Sequence, residues 1–562
     1  MIGAAIVLVV VVTLLIGARG VAAIRSTSDF LVASRRISPT LNAAAVSGEY
    51  LSAASFLGVA GLMVKDGVGA LWYGVGFTAG YIAMLALVAA PMRRTGALTV
   101  PDFAEARLGS PGLRKLSGAV VLVIATLYLV PQFKAAGLVL TVVSGTPYWV
   151  GVVVAGAAVS ITLALGGMRA ATYVQAFQFG LKLLLFIVPA IWLVLQVGAD
   201  TRAEALHPVE FTRFERVTPV QFRHDVRLTI TEPTAASTAP GRPVEVLPPG
   251  RYDVEDGSVW TFQAGAAVPE LAGAPPPGGA GWARPLLDPN GAGHPLLATL
   301  SVLVATVLGT MGLPHIIVRF HTSPDGRAAR RTAAITVLLL SVFYLFPGVY
   351  GALGAVLLPE LYLTGGTDTV VVALPSRVDT GWAGSLFTAM LSAGAFAAFL
   401  ATSLGLLLAL SGAVSHDLLP GATVRRLRLT TLATALCVVA LALPSVYLDV
   451  GVLVTSAFTV AASTFCPLLV LGIWWPRLTA RGAVVGMVVG LLASAGVIGT
   501  GFALAVPPGL AAILLGQPAL VSVPLAFLTM VLVSLRGRPP AWANAAMLRL
   551  HLDETERSAD AR

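Results

Sequence analysis

Apolar residues in this chain do not alternate or recur as a narrow stripe; they come in long blocks separated by short polar, arginine-bearing stretches. The blocks cover residues 2–18, 41–63, 70–91, 116–143, 149–166, 174–198, 296–318, 332–358, 383–411, 429–447, 450–473, 482–505 and 515–535. Each is near the ~20 residues an α-helix needs to cross a bilayer. The pattern predicts an all-α polytopic membrane protein of about 13 transmembrane helices. The first block has no basic stretch before it and no cleavage site after it, so it reads as a retained span, not a signal peptide.

Two blocks are interrupted. In Leu41 to Met63 the cluster Ser47-Gly48-Glu49 stands where a continuous helix favours Leu or Ala, and Glu49 is a carboxylate that lipid does not accept. Such a group must face protein or a water-filled cavity, and glycine and serine there loosen the helix. Far downstream, LATLSVLVATVLGTMGLPHIIVRF is interrupted by Gly309, Gly312 and Pro314. Two broken spans in corresponding halves of a chain point to a binding site at the membrane midplane, and so to a carrier.

Composition agrees: 56% of the 562 residues are hydrophobic and only 11% charged, with mean hydropathy +0.85. Soluble domains carry roughly 25% charged residues. The net charge of +9 is topological, because arginines crowd the loops on one face: Arg19, Arg25, Arg35, Arg36, Arg93, Arg94, Arg107, Arg169, Arg319, Arg327, Arg425, Arg477 and the tail from Arg536. The opposite short loops hold Lys65 and Arg377. This bias predicts an N-terminus outside and a C-terminus in the cytoplasm of a cell membrane. Nothing in it suggests nucleic acid. Cys437 and Cys466 both fall in predicted spans without metal spacing and read as small buried hydrophobes.

Residues 199–295 depart from the pattern: polar, Pro- and Gly-rich, with 8 Arg against 12 Asp plus Glu. VRLTIT alternates at the strand period, RYDVEDGSVWTF carries Asp256-Gly257 between two alternating runs as a hairpin would, and GAPPPGGAG reads as a flexible linker. This predicts a small, partly β extracellular insert, dispensable for the membrane core.

In GIWWPRLTARGAVVGMVVGLL, from Gly472 to Leu492, an arginine at a loop precedes small residues every four positions, a face that admits another backbone. The string resembles the signature of the sodium:solute symporter family. STSDFLVASRRISP resembles that family's first cytoplasmic loop. SGEYLSAASFLG, GLPHIIVRF and SGAVSHDLL are most similar to its branch for acetate and short monocarboxylates. The resemblance implies two inverted five-helix repeats as in the leucine-transporter class. They are a first repeat at 41–198 and a second at 296–475, with 1–40, accessory helices at 476–535 and a tail at 536–562 flanking them and the insert at 199–295 between.

It also implies a sodium site of backbone carbonyls on Ala43, Val46 and Ala398 with paired hydroxyls at Ala401 and Thr402. The first hydroxyl is missing here, and Ser403 is turned about 100° away. Coupling is then to sodium, or to protons if the incomplete shell fails to hold a hard cation. No cofactor or enzymatic activity is expected. The solute cavity is expected at Ser47, Gly48, Glu49, Tyr50, Thr306, Gly309 and Thr310, where freed backbone N–H groups bind a carboxylate without an arginine. Glu49 is left open between proton carrier, counter-charge and structural clamp. His315 is expected to bond freed carbonyls, with a proton relay as the alternative. Lys134 reads as an interfacial lysine or a solute partner, Lys182 as a snorkelling anchor. A solute sensor on the same fold and an ion channel are the competing classes.

Overall fold

The structure, a computed structural model, describes residues 2–18, 24, 26–206, 212–222, 225–271, 277–288, 293–419, 421, 423–448, 450–503 and 509–552. Every apolar block carries helix. The first span is Ile2–Ala18, the fourth Pro111–Ser144, the ninth Trp382–Gly412, the tenth Val424–Ala442 and the eleventh Val450–Trp474. Expected loops proved shorter in one place. Spans five and six run as Tyr148–Gln196, interrupted only at Gly167, with φ 52° and ψ −151°. That left-handed φ favours glycine, and a Cβ there would sit 3.0 Å from the Phe30 carbonyl oxygen. Arg19 and Arg25, counted in the charge bias, lie outside the described residues, as does the tail beyond 552.

Both interrupted spans are broken, but the second breaks at Leu51 and Ser52, after the Ser47-Gly48-Glu49 cluster expected to interrupt it, which stays helical. The second consists of Pro39–Tyr50 and Ala54–Asp66, bent by 63°. The seventh consists of Pro295–Gly312 and Pro314–His321, broken at Leu313 with ψ 113°. Pro314 pushes its predecessor out of the helical region. Gly312 permits the seventh span to approach the Ala461 carbonyl, to which a Cβ would lie 2.4 Å. A further bend of 59° separates Leu510–Gly516 from Ala519–Leu535. The ninth span is the centre of the bundle, 94% of its most apolar stretch being buried. The glycines of the signature string do what small residues allow: a Cβ on Gly482 or Gly486 would meet Ser534 Oγ or Met530 Cγ at 1.9 and 2.0 Å, so the last two spans pack backbone to backbone.

The insert is indeed partly β, with seven short strands among its described residues: β1 (Thr218–Gln221), β2 (Val226–Ile230), β3 (Thr234–Ser237), β4 (Glu245–Leu247), β5 (Gly250–Val254), β6 (Val259–Phe262) and β7 (Glu270–Leu271). They form one sheet ordered β1-β6-β3-β4 and another ordered β5-β2-β7. The hairpin expected around Asp256-Gly257 is therefore corrected. Both runs are strands and Gly257 turns between them with φ 79°, but β5 pairs with β2 while β6 pairs with β1 and β3. The turn is held instead by the β1–β2 connection: Gly257 N–H donates to Phe222 O, and Asp256 N–H to Asp225 Oδ1 at 2.8 Å.

The dispensable-loop expectation does not fit the end of the insert. Of the Pro/Gly stretch, residues 273–276 lie outside the described residues, whereas Gly279–Trp282 is a helical turn that buries Trp282 against Met63, Ala70, Val302 and Ala355 of the spans. Trp282 Nε1 donates to Val64 O at 3.3 Å, Trp72 Nε1 to Pro285 O at 2.8 Å, and Leu287 N–H to Thr299 Oγ1 at 2.9 Å. The segment 277–288 thus closes over the ends of the second, third and seventh spans.

Candidate functional site

At Leu51 and Ser52 the second span leaves helical geometry, and its freed backbone groups find partners on other spans. Lys182 Nζ, from the sixth span, donates to the Gly48 carbonyl and, at 2.8 Å, to the Leu51 carbonyl. Thr402 Oγ1, from the ninth, donates to Glu49 O at 2.5 Å. Gln132 Oε1, from the fourth, accepts from Ala53 N–H at 2.9 Å. Gly48 permits this crowding, because a Cβ there would lie 2.2 Å from Gln175 O.

The Glu49 side chain points to the seventh span and meets Arg319, Nε to Oε2 at 2.6 Å, with both side chains wholly buried. Arg319 Nη1 donates to Thr172 Oγ1 at 2.8 Å and Nη2 donates to Gln175 Oε1, while Gln175 Nε2 donates to Ala401 O at 2.7 Å. The Arg319 carbonyl accepts from Asn42 Nδ2 at 2.9 Å. Burial strips water from both charges, and only this pairing with its added hydrogen bonds compensates. The two broken spans are therefore clasped to each other and to the sixth span. Glu49 Oε1 has no hydrogen-bond partner and faces Gly405 of the ninth span. It borders a narrow crevice of about 20 Å³, lined also by His315, Arg319 and Thr99.

Arg319 is a residue of this buried cluster that sequence reasoning missed. It was counted among loop arginines because it ends an apolar block, yet it is fully buried. A signal existed: a lone carboxylate inside one broken span calls for a cation, and the other broken span ends on one. Lys182 is likewise corrected from snorkelling anchor to fully buried ligand of the break. His315 does not bond freed carbonyls; neither ring nitrogen has a partner, and its ring packs edge-on to Tyr128 at 5.4 Å. Lys134 donates to the Leu448 carbonyl, at the end of the tenth span.

The expected solute residues come together in part. Tyr50 OH and Thr310 Oγ1 are 2.7 Å apart, joining the two breaks, and Tyr50 packs on Tyr81 at 4.7 Å between ring centroids. Phe77 and Phe458 complete an aromatic cluster, their rings 5.0 Å apart. Ser47 is buried with its hydroxyl unpartnered. Thr306 packs beside Gly76, and Gly309 lies against the Phe458 carbonyl. Of the expected cation ligands, Ala43 and Val46 lie within Pro39–Tyr50, ahead of the break, where carbonyls bond along the helix. The carbonyls at the break are those of Gly48, Glu49 and Leu51. Ala398, Ala401, Thr402 and Ser403 are all buried on the ninth span; Thr402 reaches the break, and Ser403 Oγ has no partner.

Asp102, His416 and Asp417 bring three ligand atoms within 4.8 Å of one another. Arg114 already stands among them, 2.7 Å from Asp102 and 3.2 Å from Asp417, so the cluster's cation is an arginine.

The sequence model of the sodium:solute symporter family matches residues 30–233 and 284–490, leaving out the later part of the insert. The chain is 28% identical over 521 residues to the uncharacterized symporter YwcA of Bacillus subtilis (strain 168), covering 90% of this chain and 88% of that one. Among solved structures, it is similar to a Na+-coupled sialic acid symporter in a substrate-bound outward-open state, with TM-score 0.65, 13% identity and coverage of 95% and 97%. It is also similar to Mhp1, a nucleobase-cation-symport-1 family transporter in a closed conformation, with TM-score 0.52, 13% identity and coverage of 92% and 98%. These likenesses show the fold: the leucine-transporter-like architecture.

Proposed function

Since the chain belongs to the sodium:solute symporter family, and is thus a multi-pass, cation-coupled membrane transporter and not an enzyme, we propose that it imports a small monocarboxylate of two to four carbons by alternating access. The observation that carries this reading is the meeting of the two breaks at Tyr50 and Thr310. The polar groups there are hydroxyls walled by Phe77, Phe458, Tyr81 and Tyr128. Such a setting suits a short apolar tail and one carboxylate, and opposes the many hydroxyls of a sugar, each of which would need a partner. The motifs similar to the acetate branch support the same reading. The arginine bias supports an N-terminus outside and a cytoplasmic C-terminus, which places the insert outside. The division at 41–198, 199–295 and 296–475 follows from the same span count.

The test is uptake of labelled acetate into proteoliposomes under separately imposed sodium and proton gradients. Unlabelled propionate is expected to compete about tenfold better than proline or a hexose, a difference of ~1.4 kcal/mol. A hexose or proline competing better than propionate overturns the substrate reading.

Sodium as the driving ion finds a set of hard oxygen groups at the break: the carbonyls of Gly48, Glu49 and Leu51 and the hydroxyl of Thr402. Thr402→Ala is expected to raise the sodium concentration for half-maximal uptake about tenfold. Ala401→Ser, which restores the paired hydroxyl, is expected to lower it. Unchanged sodium dependence in both variants, with wild-type uptake driven by an imposed proton gradient in the absence of sodium, assigns coupling to protons.

A further inference from the structure

Lys182 stands eight residues inside the sixth span by the sequence boundaries, wholly buried, with its ammonium on two carbonyls of the broken second span. Those carbonyls are part of the oxygen set that suits the coupling ion, and the third, Glu49 O, is one residue away with Thr402 on it. The charges facing this point are few. Glu49 is the carboxylate on the second span and is already paired with Arg319 of the seventh. On the sixth span's other neighbour, Tyr350 is committed to the Phe186 carbonyl at 2.6 Å. Glu49, Arg319 and Lys182 therefore sum to one positive charge, and among the described residues a sodium ion added beside Lys182 would have no second carboxylate to offset it. Two cations sharing the same carbonyls in a low-dielectric interior repel strongly.

We propose that the Lys182 ammonium and the coupling sodium ion are alternative occupants of the break in the second span, so that Lys182 is a built-in competitor that sets sodium affinity. With no ion bound, the ammonium holds the freed carbonyls. When sodium binds, the four-carbon stem withdraws and the ion takes them over. Lysine suits this role because its charge is compact and its stem has many rotamers. The inference rests on the sodium-coupled reading and adds a residue to it. A purely structural clamp makes the opposite prediction, because losing it would disorder the carbonyls that sodium needs.

The experiment measures sodium binding to purified full-length wild type, Lys182→Met and Lys182→Gln. It follows the sodium-dependent rise in unfolding temperature in detergent, with choline replacing sodium at constant ionic strength, and binding of labelled sodium. The half-saturating sodium concentration is expected to fall about tenfold in both variants. A value unchanged or raised, while wild type binds sodium, overturns the competitor role and leaves sodium coupling standing. Absence of sodium binding in wild type and variants alike overturns sodium coupling itself, and this inference with it. If the neutral variants do not fold, Lys182→Arg decides: a larger fixed cation is expected to weaken sodium binding by about tenfold, and wild-type affinity in that variant overturns the proposal.

Discussion

Arg319→Met and Glu49→Gln, made singly, are expected to abolish uptake and to destabilise the protein by about 3–5 kcal/mol, because each leaves one uncompensated charge or its desolvated partners inside the bundle. The pair is 2.6 Å apart with no exposure on either side chain. Arg319 also holds Thr172 and Gln175 in place, so the loss spreads to the sixth span. The double variant Glu49→Gln/Arg319→Met removes both charges and is expected to recover much of the stability without recovering transport. Thermal unfolding in detergent measures the first effect and proteoliposome uptake the second. Additive losses in the double variant would show that the two residues act independently, and single variants that transport normally would remove the clasp from the mechanism.

Gly405→Ala carries the second large effect. A Cβ at this position would lie 1.6 Å from Glu49 Oε1 and 2.2 Å from Cδ, a separation that no small adjustment relieves. Since Glu49 is fixed by Arg319 on one side and by the short second helix on the other, the methyl group must expel the carboxylate or open the packing between spans two and nine. Overpacking in a close-packed core costs about 1–3 kcal/mol, and breaking the ion pair adds to it. Uptake is expected to be lost. Gly180→Ala is the control: nothing lies within 4 Å of its Cβ, and helix propensity alone predicts a gain of roughly 0.5–1 kcal/mol. Gly405→Ala with wild-type stability and uptake would mean that Glu49 has another place to go.

Much of this architecture was legible along the chain because a bilayer imposes simple local rules. Thirteen apolar blocks had to become helices, since no other open-ended structure satisfies its backbone in lipid. The break in the seventh span was readable, because Pro314 acts within its own segment, whereas the second span stays helical through Ser47-Gly48-Glu49 and breaks at Leu51 and Ser52, beyond the residues that suggested it. The β character of the insert followed from alternation at VRLTIT and RYDVEDGSVWTF. Its pairing did not. A turn signal at Asp256-Gly257 specifies a reversal but not which strand the next run joins, and two nearby sheets offered a choice.

The candidate site divides along the same line. Sequence by itself determined that Glu49 lies within a membrane span and that the two broken helices belong to one transport machinery, because burial of a carboxylate and interruption of a helix are properties of a residue in its own segment. Tertiary structure alone decided what each group does there. It brought Arg319 inside to Glu49 across 270 positions of sequence, and turned Lys182 from the lipid interface to the freed carbonyls. It set Thr306 beside Gly76 and Gly309 against the Phe458 carbonyl, while joining Thr310 to Tyr50. Which partner satisfies a buried charge depends on how helices are rotated and how closely they approach. That is fixed by the glycines and small side chains of several spans together, and is written in no single segment.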